Sequence, residues 1–191
     1  MHTAAPTSPA YTLELRQRFT AVQNRYDVVT TRPDGTEQVL AYVEQRRFAL
    51  KERVTFYTDD TKRQVAFTIG ARNVVELAGT YDVLDAAGLP LGTIAKQFGA
   101  SLLRSTYELQ TPRGTLIGRE RNAVVAILRR LFDLPLPIRF DLTAPSGVTV
   151  ATVDRRLARV RDLYAVHVHD PALDWRLAAA LAVAQDAFLD R

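Results

Sequence analysis

The chain contains no cysteine, which excludes disulfide bonds, thiolate metal sites, cysteine nucleophiles and palmitoylation. Lysine is scarce as well, since it stands only at positions 51, 62 and 96, so the net charge of +4 depends mainly on arginine. The first ten residues have neither a basic start nor an apolar run of the length found in secretory leaders. These absences favour a cytoplasmic protein in which residues 1–10 form a flexible tail.

No apolar run in the sequence is long enough to cross a membrane. Spanning requires roughly 20 uninterrupted apolar residues, whereas the most apolar segment, residues 172–189, is interrupted by Asp174, Arg176, Gln185 and Asp186. We therefore expect no transmembrane span. With 47% hydrophobic residues, the chain of 191 residues can bury one substantial core. Residues 11–191 are predicted to form a single domain.

What the sequence does contain is a repeated pattern of an aromatic residue, an aliphatic residue two positions later, a glycine-bearing turn and a second alternating run. Copies begin at Tyr26, Tyr81, Tyr107 and Phe140, and Tyr164 opens a fifth. Alternation places every second side chain on the same face, so each copy predicts a β-hairpin. The arms amount to about twelve strands, which favours a closed antiparallel barrel because closure removes exposed strand edges. The predicted fold class is mainly β.

Two segments depart from this alternation. Residues 122–132 have apolar positions at helical spacing and predict an amphipathic helix on the outside or at one end of the barrel. Residues 172–189 are apolar around the whole helical circumference, and such a helix must be buried on every side. At about 1.5 Å per residue it spans about 27 Å, comparable with the height of a barrel. We therefore predict a central helix enclosed by the strands. Its large apolar residues are Leu173, Trp175, Leu177, Leu181, Val183 and Phe188.

Several short motifs resemble, in their order and spacing, the LURP-one-related and phospholipid scramblase group, and its bacterial members in particular. They are residues 24–28 with Gly35 and residues 41–44, then residues 56–60, Ala71-Arg72, residues 81–85 with Gly88 and Gly92, and residues 98–106. The resemblance covers residues 11–191. It implies the fold of the tubby carboxy-terminal domain, a twelve-stranded barrel around a hydrophobic helix, in agreement with the alternation pattern.

The resemblance also implies a class of function. Tubby domains bind phosphoinositides through basic residues, and animal scramblases are linked to calcium-dependent lipid movement, with no common catalytic residue. It therefore implies a non-enzymatic binding module, without a cofactor, that meets anionic phospholipid as a peripheral protein at a membrane surface. The calcium-binding segment of scramblases is reduced here to Asp170 and Asp174, without the glycine and glutamate of a calcium loop, so neither calcium binding nor lipid movement is expected.

Two basic groups could meet lipid headgroups, because a basic residue near an anionic membrane contributes about 1 kcal/mol. The first group, around a predicted hairpin turn, is Arg155, Arg156, Arg159 and Arg161. The second is Arg46, Arg47, Lys51 and Arg53. Acidic neighbours, Asp154 among them, partly neutralise both groups, so ion-paired solvated faces are the alternative interpretation. Neither group alternates with aromatic residues as nucleic-acid sites do, and no nucleic-acid partner is expected.

Catalytic and metal sites have weaker support. His167 and His169 could ligate a metal together with Asp170, but the chain has only one other histidine, at position 2, and a solvated strand face is the simpler interpretation. Ser101 and Ser105 lack a nucleophile motif. Gly88 and Gly92 resemble a phosphate loop superficially, yet no helix follows them, so they are predicted to be turn glycines. We predict no catalytic and no metal-binding residue.

Two alternatives to lipid binding remain open. A protein-interaction scaffold would need an exposed apolar patch to receive a protein partner. The sequence offers Leu131, Phe132, Leu134 and Leu136 for it. A small-ligand carrier or an enzyme would instead need a cavity inside the barrel with convergent polar groups.

Overall fold

The computed structural model describes residues 8–18, 23–32, 34–46, 53–72, 80–97, 106–121, 138–157 and 162–189. Within them, each strand pairs antiparallel with the next in sequence and β12 pairs with β1, which closes a barrel of twelve strands. The strands are β1 (Tyr11–Arg18), β2 (Gln23–Thr31), β3 (Glu37–Arg46), β4 (Val54–Tyr57), β5 (Val65–Ala71), β6 (Thr80–Asp85), β7 (Pro90–Gln97), β8 (Thr106–Thr111), β9 (Gly114–Glu120), β10 (Ile138–Thr143), β11 (Thr149–Leu157) and β12 (Asp162–Val168). The predicted fold class is confirmed. Residues 122–132, the serines at 101 and 105, and the apolar patch around residue 131 lie outside the described residues.

Alternating side chains explain why these segments form strands. Leu13 and Leu15 of β1 are fully buried and pair with Val166 and Tyr164 of β12, which are buried as well. Side chains at the intervening positions of β1, such as that of Thr12, face the outside of the barrel and are only half-buried. One face of each strand therefore forms the core, as the sequence pattern predicts.

The glycine of each hairpin pattern has a conformational role at the turn. Gly88 has φ +82° and its backbone N–H donates to the carbonyl of Asp85 at 3.0 Å, and Gly147 has φ +83°. Both lie in the left-handed region, which glycine adopts without a Cβ penalty. The prediction of turn glycines is confirmed for Gly88, whereas Gly92 lies within β7 and has a different role.

Because consecutive strands run in opposite directions, the turns alternate between the two ends of the barrel. The turns at residues 32–36, 58–64, 86–89, 112–113 and 144–148 lie at the end where the chain leaves β12 for the helix, which we call the upper end. The lower end is the opposite one, where β1, β3, β5, β7, β9 and β11 finish.

The helix α1 (Trp175–Leu189) is enclosed by the barrel. It contacts β1 and β12 on one side of the ring and β7 on the opposite side, and residues 177–184 are at most 2% exposed. The predicted enclosed helix is thereby confirmed. Leu173 is also buried, Trp175 is half-buried, and the side chain of Phe188 lies outside the described part of the chain. Among the described residues, no helix has the length and apolar character needed to cross a bilayer.

Candidate functional site

Most of the charged residues at the lower end of the barrel are basic. For each strand we consider the last three described positions at this end and any described residues directly beyond them. The basic residues at these positions are called the lower basic rim. They are Arg16, Arg18, Arg25, Arg46, Arg53, Arg72, Lys96, Arg119, Arg121, Arg139, Arg155 and Arg156. Acidic residues at the same positions are fewer. They are Glu44, Asp82, Glu108, Glu120 and Asp162.

The upper end carries slightly more acidic than basic residues when the matching positions are counted. The basic residues at its turns, at the neighbouring strand ends and at the start of α1 are Arg32, Lys62, Arg63, Arg113 and Arg176. The acidic residues there are Asp34, Glu37, Asp59, Asp60, Asp85, Asp141, Asp170 and Asp174. Positive charge is therefore concentrated at one end of the molecule.

Ion pairs hold part of the lower basic rim on the outer wall. Arg121 binds the carboxylate of Asp141 through two nitrogens at 2.5 and 2.7 Å, and Arg139 binds Asp154 at 2.5 and 2.9 Å. The arginine side chains are about half exposed, at 49% and 52%, whereas the aspartates are 22% and 10% exposed. The guanidinium groups thus cover the carboxylates and form the outermost layer. Arg119, in β9, is exposed and has no carboxylate partner among the described residues.

Among the described residues, two clefts of about 460 Å³ each lie at the upper end, one on either side of the segment that leads into α1. The first, which we call the upper cleft, lies between this segment and the turns at residues 112–113 and 144–148. Its apolar lining comes from Leu91, Leu116, Val150, Leu173 and Leu177. Arg113 and Asp170 stand at its mouth, with 3.5 Å between Nη1 of the arginine and Oδ2 of the aspartate. The second cleft is lined by Tyr11, Leu40, Trp175 and their neighbours.

Asp174 fixes the start of α1. Its backbone carbonyl accepts the N–H groups of Leu177 and Ala178, and its carboxylate accepts the backbone N–H of Arg176 at 2.8 Å and the Arg176 guanidinium at 2.6 Å. This is the arrangement of an N-cap aspartate. Burial by itself raises the pKa of Asp174, but the hydrogen bonds from Arg176 outweigh it and lower the pKa overall. The ionised carboxylate therefore holds the helix start in place.

Tyr11 links the same segment to the barrel wall. Its hydroxyl donates a hydrogen bond to the carbonyl of Leu173 at 2.5 Å. Burial raises the pKa of Tyr11, and the negative charges of Asp174 and Asp170 raise it further. The hydroxyl is therefore neutral, and able to donate, throughout the physiological range.

We expect Tyr11→Phe to lower the free energy of unfolding by about 1 kcal/mol at neutral pH, because one partly buried hydrogen bond is lost. The folded pKa lies above the unfolded one, so the native protein also loses stability as the pH rises past the unfolded tyrosine pKa of about 10. The variant should lose less stability there than the native protein does. Urea denaturation at neutral and alkaline pH measures both effects. Tyr57→Phe, at a half-buried site with no hydrogen bond to a described residue, is the control and should leave the free energy of unfolding at neutral pH nearly unchanged.

The family of the chain follows from comparison with known proteins. The sequence profile of the LURP-one-related family matches residues 39–186, which is more than half of the chain. The chain belongs to the LURP-one-related family. The predicted family is thereby confirmed, and its barrel with an enclosed helix is a tubby-like domain. Membership of a bacterial branch stays a prediction. No curated protein matches the chain.

The structure describes only part of the arginine group that was predicted to contact lipid in this LURP-one-related protein. Arg155 is half-buried, and its guanidinium lies 5.4 Å from the ring centre of Tyr164, its cross-strand partner on β12. Arg156 pairs through its backbone with Leu163, and its side chain is not among those described. Arg159 and Arg161 lie outside the described residues. A lipid contact by this group stays a prediction.

A polar network on the outer wall was not predicted from the sequence. The Thr12 hydroxyl lies 3.2 Å from Nδ1 of His167, and Nε2 of His167 lies 3.9 Å from Oδ2 of Asp154. The order hydroxyl, imidazole, carboxylate is that of a hydrolase triad. However, 3.9 Å is too long for a hydrogen bond, and Arg139 already binds Asp154. Within the described part of the chain, no three His, Asp or Glu side chains come together as metal ligands.

Proposed function

We propose that this LURP-one-related protein is a non-enzymatic, tubby-like binding module of the cytoplasm whose lower end meets anionic phospholipid at a membrane surface. The observation that supports it is the unequal distribution of charge, with basic residues concentrated at the lower end and a slight acidic excess at the upper end. A basic residue close to an anionic membrane contributes about 1 kcal/mol, and the contribution fades within a Debye length of about 10 Å. Only residues at one end can therefore act together.

The exposed members of the lower basic rim suit such a contact. Arg53 and Arg119 are exposed, and the half-exposed guanidinium groups of Arg121 and Arg139 lie outside their aspartate partners. An approaching phosphate would meet guanidinium groups before it met carboxylates. Arginine suits this role because its planar donors can bind a phosphate through two hydrogen bonds.

The position of the arginines predicted from the sequence also agrees with the proposal. Arg156 lies in the lower half of β11, and Arg159 and Arg161 stand in the sequence between β11 and β12, whose paired ends Leu157 and Asp162 are at the lower end. We propose that these three arginines add to the surface that Arg53 and Arg119 begin.

Co-sedimentation with vesicles tests the proposal. The protein should bind vesicles that contain phosphatidylglycerol at low salt, bind them much less at high salt, and leave pure phosphatidylcholine vesicles unbound. The double variant Arg53→Glu/Arg119→Glu should weaken binding at least about tenfold, since each removed charge costs about 1 kcal/mol near the membrane.

The matched control is Arg32→Glu/Arg63→Glu, which makes the same change of charge on exposed side chains of the upper end. It should bind vesicles nearly as well as the native protein. If both double variants lost vesicle binding equally, the loss would depend only on net charge, and a contact by the lower end would be contradicted. An absence of binding to anionic vesicles at low salt would rule out the lipid function and leave the scaffold as the better interpretation.

A further inference from the structure

We propose that the upper cleft binds a small amphiphile with one apolar chain and a zwitterionic head group. This ligand site is separate from the lower basic rim and lies at the opposite end of the barrel. The proposal rests on the shape and lining of the cleft and on the ion pair at its mouth.

The apolar floor of the cleft is preformed. Leu116, Leu173 and Leu177 are packed in the core without any ligand, and α1, to which Leu177 belongs, is held by its N-cap and by the surrounding strands. The half-buried side chains of Leu91 and Ala144 leave apolar surface exposed to the cleft. A volume of about 460 Å³ lies within the range of small-molecule pockets, which are mostly apolar with a few polar groups that orient the ligand. A flexible alkyl chain fits such a floor because it needs no polar partner there. Preformed walls also limit the entropy lost on binding.

The mouth of the cleft holds two opposite charges that are only loosely paired. The contact between Arg113 and Asp170 is 3.5 Å long, and the two side chains are 66% and 44% exposed. Charge-assisted hydrogen bonds are normally 2.7 to 2.9 Å long, and an exposed pair of this kind is worth at most about 1 kcal/mol. A ligand can therefore separate the two side chains at little cost.

The neighbouring ion pair does not offer the same possibility. Asp174 and Arg176 are joined by several hydrogen bonds of 2.6 to 3.2 Å, and these bonds hold the helix start. Arg113 and Asp170 are thus the charges available to a ligand at this cleft. A head group with one anionic and one cationic part can bind both side chains, whereas a singly charged head group leaves one of them without a partner. The pair therefore favours a zwitterion over a simple anion or cation.

Calorimetric titration with three amphiphiles of equal chain length tests the proposal. Decylphosphocholine, decyl sulfate and decyltrimethylammonium are compared below their micelle concentrations. The zwitterion should bind tightest, with one molecule per chain. Arg113→Gln and Asp170→Asn should each weaken its binding by about fivefold, because each removes one contact worth about 1 kcal/mol. Asparagine keeps the side-chain oxygen that accepts the N–H of Ala172, so the turn is preserved.

Ala144→Trp, which would place an indole in the cleft, should abolish binding of all three compounds. Because this variant could disturb the core, Arg113→Gln and Asp170→Asn, both at exposed positions, provide the decisive comparison. Arg63→Gln on another upper turn is the control and should bind like the native protein. Tightest binding by decyl sulfate or by decyltrimethylammonium would overturn the proposal, as would charge variants that bind like the native protein.

The test also separates this proposal from the proposed function. Arg53→Glu/Arg119→Glu should leave binding of decylphosphocholine unchanged, and Arg113→Gln should leave binding to phosphatidylglycerol vesicles unchanged. A loss of both activities in either variant would contradict two separate sites.

Discussion

Replacing Leu181 by aspartate is expected to abolish the folded barrel. Leu181 is 1% exposed in the middle of α1, and the helix touches opposite walls of the ring. Truncating a buried leucine to alanine already costs about 2 to 5 kcal/mol, and an unpaired buried carboxylate adds a desolvation cost of several kcal/mol. The sum approaches or exceeds the whole stability of a typical domain, about 5 to 15 kcal/mol. The variant should be insoluble, or soluble without a cooperative thermal transition in circular dichroism.

The control for this experiment makes the same chemical change at an exposed site. Leu89 lies in the turn between β6 and β7 and is 63% exposed. Leu89→Asp should change the free energy of unfolding by no more than about 0.5 kcal/mol, as is usual for surface substitutions. If Leu181→Asp unfolded cooperatively with a stability close to that of Leu89→Asp, α1 could not be the centre of the core.

The barrel could be predicted because its signals are local in the sequence. The aromatic residues at 26, 81, 107, 140 and 164 begin alternating runs, and the structure buries each of these five side chains. A hairpin pairs neighbouring runs, so its register depends on a turn of a few residues, as at Gly88. The enclosed helix could also be predicted from the sequence, because an apolar surface around its whole circumference leaves no solvated face. Neither inference needed knowledge of distant contacts.

The candidate sites could not be predicted in the same way, because they depend on which distant residues become neighbours. Arg113 and Asp170 meet at the upper cleft only because the turn after β8 and the segment after β12 share one end of the barrel. Thr12 and His167 are brought together by the pairing of β1 with β12, which closes the ring. Period-two patterning gives the face of a residue but not its non-sequential partner.

The partners of charged side chains could not be predicted from the sequence either. Asp154 was expected to neutralise the arginines that follow it in the sequence, but its carboxylate is bound by Arg139 of β10. Arg155 faces the interior side of β11, because it pairs with Tyr164, and its guanidinium lies over that ring. A cluster of like charges in a strand is divided between two faces, so proximity in sequence overstates how many of its members share one surface. The exposed charge at the lower end is instead assembled from several strands.

Gly92 shows how closely the wall approaches the helix, and its replacement by alanine is expected to be strongly destabilising. A Cβ atom on Gly92 would overlap the backbone oxygen of Gln110 on β8 and would lie 3.0 Å from Cδ2 of Leu177 on α1. The oxygen belongs to a neighbouring strand of the closed ring, and the leucine belongs to a helix enclosed on all sides, so neither can move away easily. Overpacking in a rigid core costs about 1 to 3 kcal/mol and occasionally more. We expect a loss of at least about 3 kcal/mol, measured as a lower urea midpoint with an unchanged m-value.

Gly118→Ala is the matched control, because Gly118 also lies within a strand and is buried. A Cβ atom there would lie 3.6 Å from Cδ1 of Leu142 and from Cβ of Tyr107, which is ordinary van der Waals contact. Replacing glycine by alanine at a compatible site restricts the unfolded chain and stabilises a protein by about 0.4 to 1 kcal/mol. Gly118→Ala should therefore be neutral or slightly stabilising. If both variants lost the same stability, the loss would come from the general change in strand propensity. A close approach of β7 to Leu177 would then not be needed to explain the destabilisation by Gly92→Ala.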